Sequence, residues 1–147
     1  MKSIKPSSSR RNLRVQPNDW RVLQSEPVNV LLIGTTQQTS AFIAGLSPAL
    51  HAPLDYCDAR LFRPRPIAAG TLILQDATEM PSAQQHALMA WLEDAENASR
   101  VITAVRSPLF PHVEAGRFRD TLYYRLNTVT IDLSERHTVD DRVTSGP

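Results

Sequence analysis

Short, almost wholly apolar runs alternate along this chain with longer stretches in which apolar residues return every three or four positions. Val28 to Ile33 is a row of β-branched and leucine residues broken only by Asn29 and closed by Gly34. That is the pattern of a strand buried on both faces. Leu72 to Gln75, Val101 to Val105 and Thr128 to Leu133 read the same way, and Leu54 to Cys57 predicts a shorter strand. Ser40 to Leu46 predicts a short helix stopped near Ser47-Pro48. Ser82 to Ala95 predicts the best-formed helix, with Ser82 as N-cap and Leu88, Trp91 and Leu92 on one apolar stripe. Phe118 to Leu126 predicts an interrupted helix whose Phe118, Leu122 and Leu126 form its core side. Strand and helix alternating in this order predict the α/β class, with a mostly parallel five-stranded sheet carrying helices on its faces.

Polarity divides the chain into one core and two ends. Residues 1–24 read as a flexible basic tail: Lys2, Lys5, Arg10, Arg11, Arg14 and Arg21 face a single acid, Asp19, and Ser7-Ser8-Ser9 adds freedom. Such a segment buries too little apolar surface to offset its ordering entropy. It is read as a solvated linker, with an arm for phosphates or an acidic partner as the functional alternative. The core spans 25–133, and 134–147 reads as a second flexible tail. A chain of 147 residues with 41% hydrophobic content fits one globular domain. A net charge of +1 sets up no strong field toward nucleic acid or membrane. No apolar run has the length of a membrane span, and one cysteine, Cys57, excludes an internal disulfide. The expected location is cytoplasmic, and Cys57 is expected to be a small core residue. His51, His86, His112 and His137 lack metal-ligand spacing, so no metal site is expected. Arg60, Arg63 and Arg65 with Phe62 form a small basic patch, read as a solvated bridge with a binding site as the alternative.

Three segments carry more than periodicity. They are Gly116-Arg117-Phe118-Arg119-Asp120-Thr121-Leu122-Tyr123-Tyr124-Arg125-Leu126-Asn127, Gly70 to Pro81, and Arg100 to Leu109. Together they resemble the AAA+ ATPase core of the sigma-54-dependent transcription activators, over roughly Val28 to Leu133. The resemblance implies a P-loop NTPase-like three-layer sandwich. It also implies that Arg119 and Arg125, six positions apart, occupy the two arginine-finger positions. In the family these residues act across a subunit boundary on the neighbour's ATP. Asp76 stands at the Walker B glutamate position, one methylene shorter. Gln75 stands where the family has its magnesium-binding aspartate, and a neutral amide is a poor magnesium ligand. Arg106 replaces the sensor asparagine and is expected to salt-bridge Asp76.

The same match places a Walker A loop over Gly34 to Ala41, where a phosphate cradle needs glycines, a lysine and a hydroxyl. Gly34 is retained, but Thr39 holds the second glycine position, Ser40 the lysine position and Ala41 the hydroxyl position. Thr39 adds a Cβ where close approach to a phosphate calls for glycine. Gly34, Thr39 and Ser40 are therefore at most a weak cofactor site. Between Cys57 and Ala69 the family carries a helix and the GAFTGA loop that contacts sigma-54; here the connection is short. The pre-sensor insertion after Glu93 is shortened too, and neither a helical lid nor a helix-turn-helix is expected after Leu133.

On this reading the chain is a catalytically inactive sigma-54-activator-like AAA+ domain, a transcription-regulatory protein-interaction module that needs no cofactor. The implied partners are active AAA+ activators or other transcription-regulatory proteins, in homo- or hetero-oligomers, without direct DNA or membrane binding. The enzyme alternative is a residual ATP-binding or ATPase domain, using ATP and magnesium. Nucleic-acid association through the basic tail and a decayed gene product also stay open.

Overall fold

The computed structural model describes residues 28–66 and 70–134. The tail assigned to 1–24, and residues 135–147 of the second tail, lie outside the described residues. Five strands form one sheet: β1 (Val30–Ile33), β2 (Leu54–Asp58), β3 (Thr71–Gln75), β4 (Arg100–Val105) and β5 (Val129–Asp132). Their spatial order is β2-β3-β4-β1-β5, and every neighbouring pair is parallel. The register sets Leu32 beside Ala104 and Ile131, and Cys57 beside Leu74. A parallel sheet needs cover on both faces. Helix α1 (Thr36–Leu46) covers one, with Ile43 and Leu46 packed on Val30, Leu32, Ile73, Ile102 and Ile131. Helices α2 (Ser82–Glu93), α3 (Phe110–Glu114) and α4 (Asp120–Leu126) lie on the other, where Leu31, Leu72, Leu74 and Val105 meet Leu88, Leu109, Leu122 and Leu126. Alternate residues of the inner strands β1, β3 and β4 enter opposite cores, which is why these strands read as apolar runs.

Several element boundaries differ from the pattern-based expectation. Helix α1 begins at Thr36 rather than Ser40, because Thr35 is its N-cap. Helix α2 is preceded by Pro81 as N-cap, not Ser82, and ends at Glu93. Helix α3 has Pro111 in its first turn and is too short to show a period. The segment before α4 is a loop, so Phe118 reaches the core from outside the helix.

The short β2–β3 connection is better built than a solvated bridge. Phe62 is 1% exposed and meets the Trp91 ring edge-on, centroids 6.0 Å apart. The Arg65 guanidinium sits 5.4 Å from the Phe62 ring centroid and pairs with Asp55. The Trp91 indole N–H donates to the Arg65 carbonyl at 2.9 Å. Burying one phenylalanine side chain contributes roughly 1.5–3 kcal/mol, and the aromatic pair adds to it. Arg60 and Arg63 stay exposed, and Arg60 is held by two bonds to the Asp58 carboxylate.

Candidate functional site

Gly34, Thr39, Gln75, Asp76 and Arg106 converge at the carboxyl ends of β1, β3 and β4, where open α/β sheets form ligand crevices. Two backbone bonds build the place: the Gly34 N–H donates to the Val105 carbonyl at 2.9 Å, and the Asp76 N–H to the Ala104 carbonyl at 3.0 Å. Between these turns lies a cleft of about 270 Å³, with Gly34, Thr36 and Thr39 on one side and Gln75, Asp76 and Arg106 on the other.

On the α1 side the loop is closed by its own side chains. The Thr35 hydroxyl accepts the Gln38 N–H at 3.0 Å, and the Gln38 side-chain oxygen accepts the Thr35 N–H at 2.8 Å. This reciprocal capping box satisfies two of the donors that a helix start leaves free. The helix therefore starts two residues after Gly34, and the stretch that would curl around a phosphate is its first turn. Thr39 is buried, with its hydroxyl bonded to the Thr36 carbonyl at 3.2 Å. Ser40 is exposed on the helix surface and does not line the cleft. A Cβ on Gly34 would meet the Gln38 oxygen at 2.8 Å and the Leu133 Cβ at 3.1 Å. The glycine is thus needed by the capped turn itself. Thr35-x-x-Gln38 is a capping signature readable in the sequence; matching the stretch to a phosphate loop obscured it.

On the opposite side Asp76 adopts φ 62°, ψ 46°, a left-handed conformation that aspartate tolerates better than most residues. Arg106 Nε lies 3.7 Å from Asp76 Oδ1, so the expected pair forms, but its guanidinium side chain is 71% exposed. Such a pair contributes at most about 1 kcal/mol. A metal-bound triphosphate needs free amides, a cation and a carboxylate metal ligand. Here two amides are taken, the cation is turned to Asp76, and Gln75 is neutral. The donor set does not fit the group.

Arg119 and Arg125 are not part of this cleft. Both are exposed, and among the described residues neither guanidinium has an ion pair. Arg119 lines a separate cleft of about 460 Å³ with Ser82, Gln85, Arg117 and Asp120. The Arg125 carbonyl accepts the Asn29 side-chain amide at 3.0 Å, while the Asn29 oxygen accepts the Val101 N–H. The side chain that builds the Arg119 cleft is Gln85, 2% exposed and not anticipated. A glutamine on the core side of α2 breaks its apolar stripe, and that was the available signal.

Comparison with known proteins agrees with this architecture. A family model described as the sigma-54 interaction domain matches residues 21–135. The sigma-54-dependent transcriptional regulator SfnR of Pseudomonas fluorescens (strain Pf0-1) is 36% identical over 76 residues, covering 44% of this chain and 21% of its own. NtrX from Brucella abortus in complex with ADP superposes with a TM-score of 0.63 at 17% identity, over 88% of this chain and 36% of that one. The P-loop NTPase domain of a sigma-54 transport activator from E. coli gives 0.55 at 17% identity, over 73% of this chain and 97% of its own. The chain spans about a fifth of the length of the curated relatives it matches. Its fold is that of the P-loop NTPase and AAA+ domains, and the chain belongs to the sigma-54 interaction domain family.

Proposed function

We propose that this domain works in transcription regulation through protein contacts and does not hydrolyse nucleotide. The observation that carries the reading is the turn after β1, whose amides are bonded by the Thr35 and Gln38 side chains. The partners are AAA+ activators of the same family, and the chain joins them either as a subunit that blocks assembly or as a donor of Arg119 and Arg125. It acts in the cytoplasm and does not contact DNA directly. Among the described residues no helix is long and apolar enough to cross a membrane. A second reading, residual ATP binding, is favoured by the cleft that keeps Asp76 beside Gly34. Sedimentation of this chain with full-length SfnR of Pseudomonas fluorescens tests the first reading. A mixed complex that dissociates when Arg119 and Arg125 are both changed to alanine is expected. Independent sedimentation of the two proteins at every ratio would contradict it.

A further inference from the structure

We infer that Gln85 is a positioning residue for Arg119, fixing the backbone from which that guanidinium reaches a partner. The inference rests on the proposed partner contact. Gln85 sits on α2, 2% exposed, and its amide is committed in three directions. Nε2 donates to the Met80 carbonyl at 2.9 Å and to the Arg117 carbonyl at 2.8 Å. Oε1 accepts the Arg119 N–H at 2.9 Å. Both donors of the side chain are thereby used.

The two groups taken from the loop flank Phe118, one residue on either side. A single side-chain amide thus pairs with the loop as a neighbouring strand would. Phe118 itself is buried, and the Arg117 and Phe118 amides both donate to the His112 carbonyl. Gly116, at φ +78° with open space where a Cβ would stand, makes the turn into the loop. Arg119 precedes α4 as its N-cap without a side-chain capping bond. Its extended backbone therefore has Gln85, not a cap, as its external restraint. The Met80 bond ties the same amide to the turn that follows Asp76. Arg119 and Arg117, both exposed, project from a loop held at both ends, which lowers the ordering cost of any contact they make.

The test uses the full chain and two readouts. In Gln85→Met, which keeps the length but no polar atom, hydrogen exchange at the Arg119 amide should quicken at least tenfold while the β1 and β4 amides keep their rates. Affinity for full-length SfnR should fall at least threefold, and Gln85→Met/Arg119→Ala should bind no more weakly than Arg119→Ala alone. Unchanged exchange at Arg119, or fully additive losses, overturns the inference. An Arg119→Ala variant that binds SfnR like the wild type sinks the partner reading instead, and the exchange result then judges Gln85 by itself. If Gln85→Met does not fold, Gln85→Lys, which keeps donors for the Met80 and Arg117 carbonyls but no acceptor for the Arg119 N–H, is read by the same exchange criterion: faster exchange confined to 116–120 supports the assignment, and wild-type rates overturn it.

Discussion

Gln38 and Thr35 decide the chemistry of the cleft more than the absent lysine does. A lysine at Ser40 would stand on the exposed second turn of α1, outside the cleft lining, with the Thr35 and Gln38 amides behind it already bonded. Ser40→Lys alone is therefore expected to leave nucleotide binding undetectable in a fluorescent-nucleotide titration. Thr35→Ala should cost about 1 kcal/mol in urea unfolding, the usual worth of an N-cap, with Gln38→Ala costing less than that because the Thr35 bond survives. Cys57 supplies a second check at this scale. Burial, the largest influence, raises its thiol above the ordinary range, against the lowering effect of the Arg65 guanidinium. A raised folded-state value means that the stability it contributes is fully present below the unfolded thiol range, about pH 8.5, and is lost as pH rises through the folded value. Relative to Cys57→Ala, the wild type should lose stability above about pH 8.5 in thermal melts run across pH. A difference that stays flat from neutral to alkaline pH would contradict this. Residue identity was a good guide to Cys57 and to the Arg106–Asp76 pair. It was a poor guide to Gln85, whose three partners are brought together only by tertiary packing.

At the scale of elements, the β2–β3 connection is held by an anchor rather than a helix. Phe62 plugs against Trp91, and Arg65 closes over it. Phe62→Ala should cost about 3–5 kcal/mol, as large-to-small changes in a filled core do. Leu61→Ala, one position earlier but 71% exposed, should stay within about 0.5 kcal/mol. Urea unfolding of the two variants side by side checks the pair of values; equal losses would mean that Phe62 is not an anchor. Strands β1, β3 and β4 were legible because they lie inside the sheet and are packed on both sides, which leaves a simple apolar run, whereas the edge strand β2 exposes Tyr56 and carries a weaker pattern. Helix α3 was not, since five residues containing Pro111 show no period. The buried Phe62 was masked by its arginine neighbours, which mark a solvated segment unless the partner Trp91 is known to lie beneath.

At the scale of the molecule, the fold is that of the P-loop NTPase and AAA+ domains, while the turn after β1 is closed by its own Thr35 and Gln38 side chains. Motif letters revealed the ancestry. They did not reveal that Thr36 to Ser40 is helical, because a phosphate loop and a capped helix start share the same strand-turn-helix frame. Arg119 and Arg125 do not line the cleft of their own chain, and the proposed role for them is a contact with another molecule. On the proposed reading this domain retains the nucleotide-binding fold without binding nucleotide. Calorimetric titration of the full chain with ATP and magnesium, repeated with ADP, tests it most directly: no heat of binding is predicted for either, and saturable micromolar binding would contradict the account.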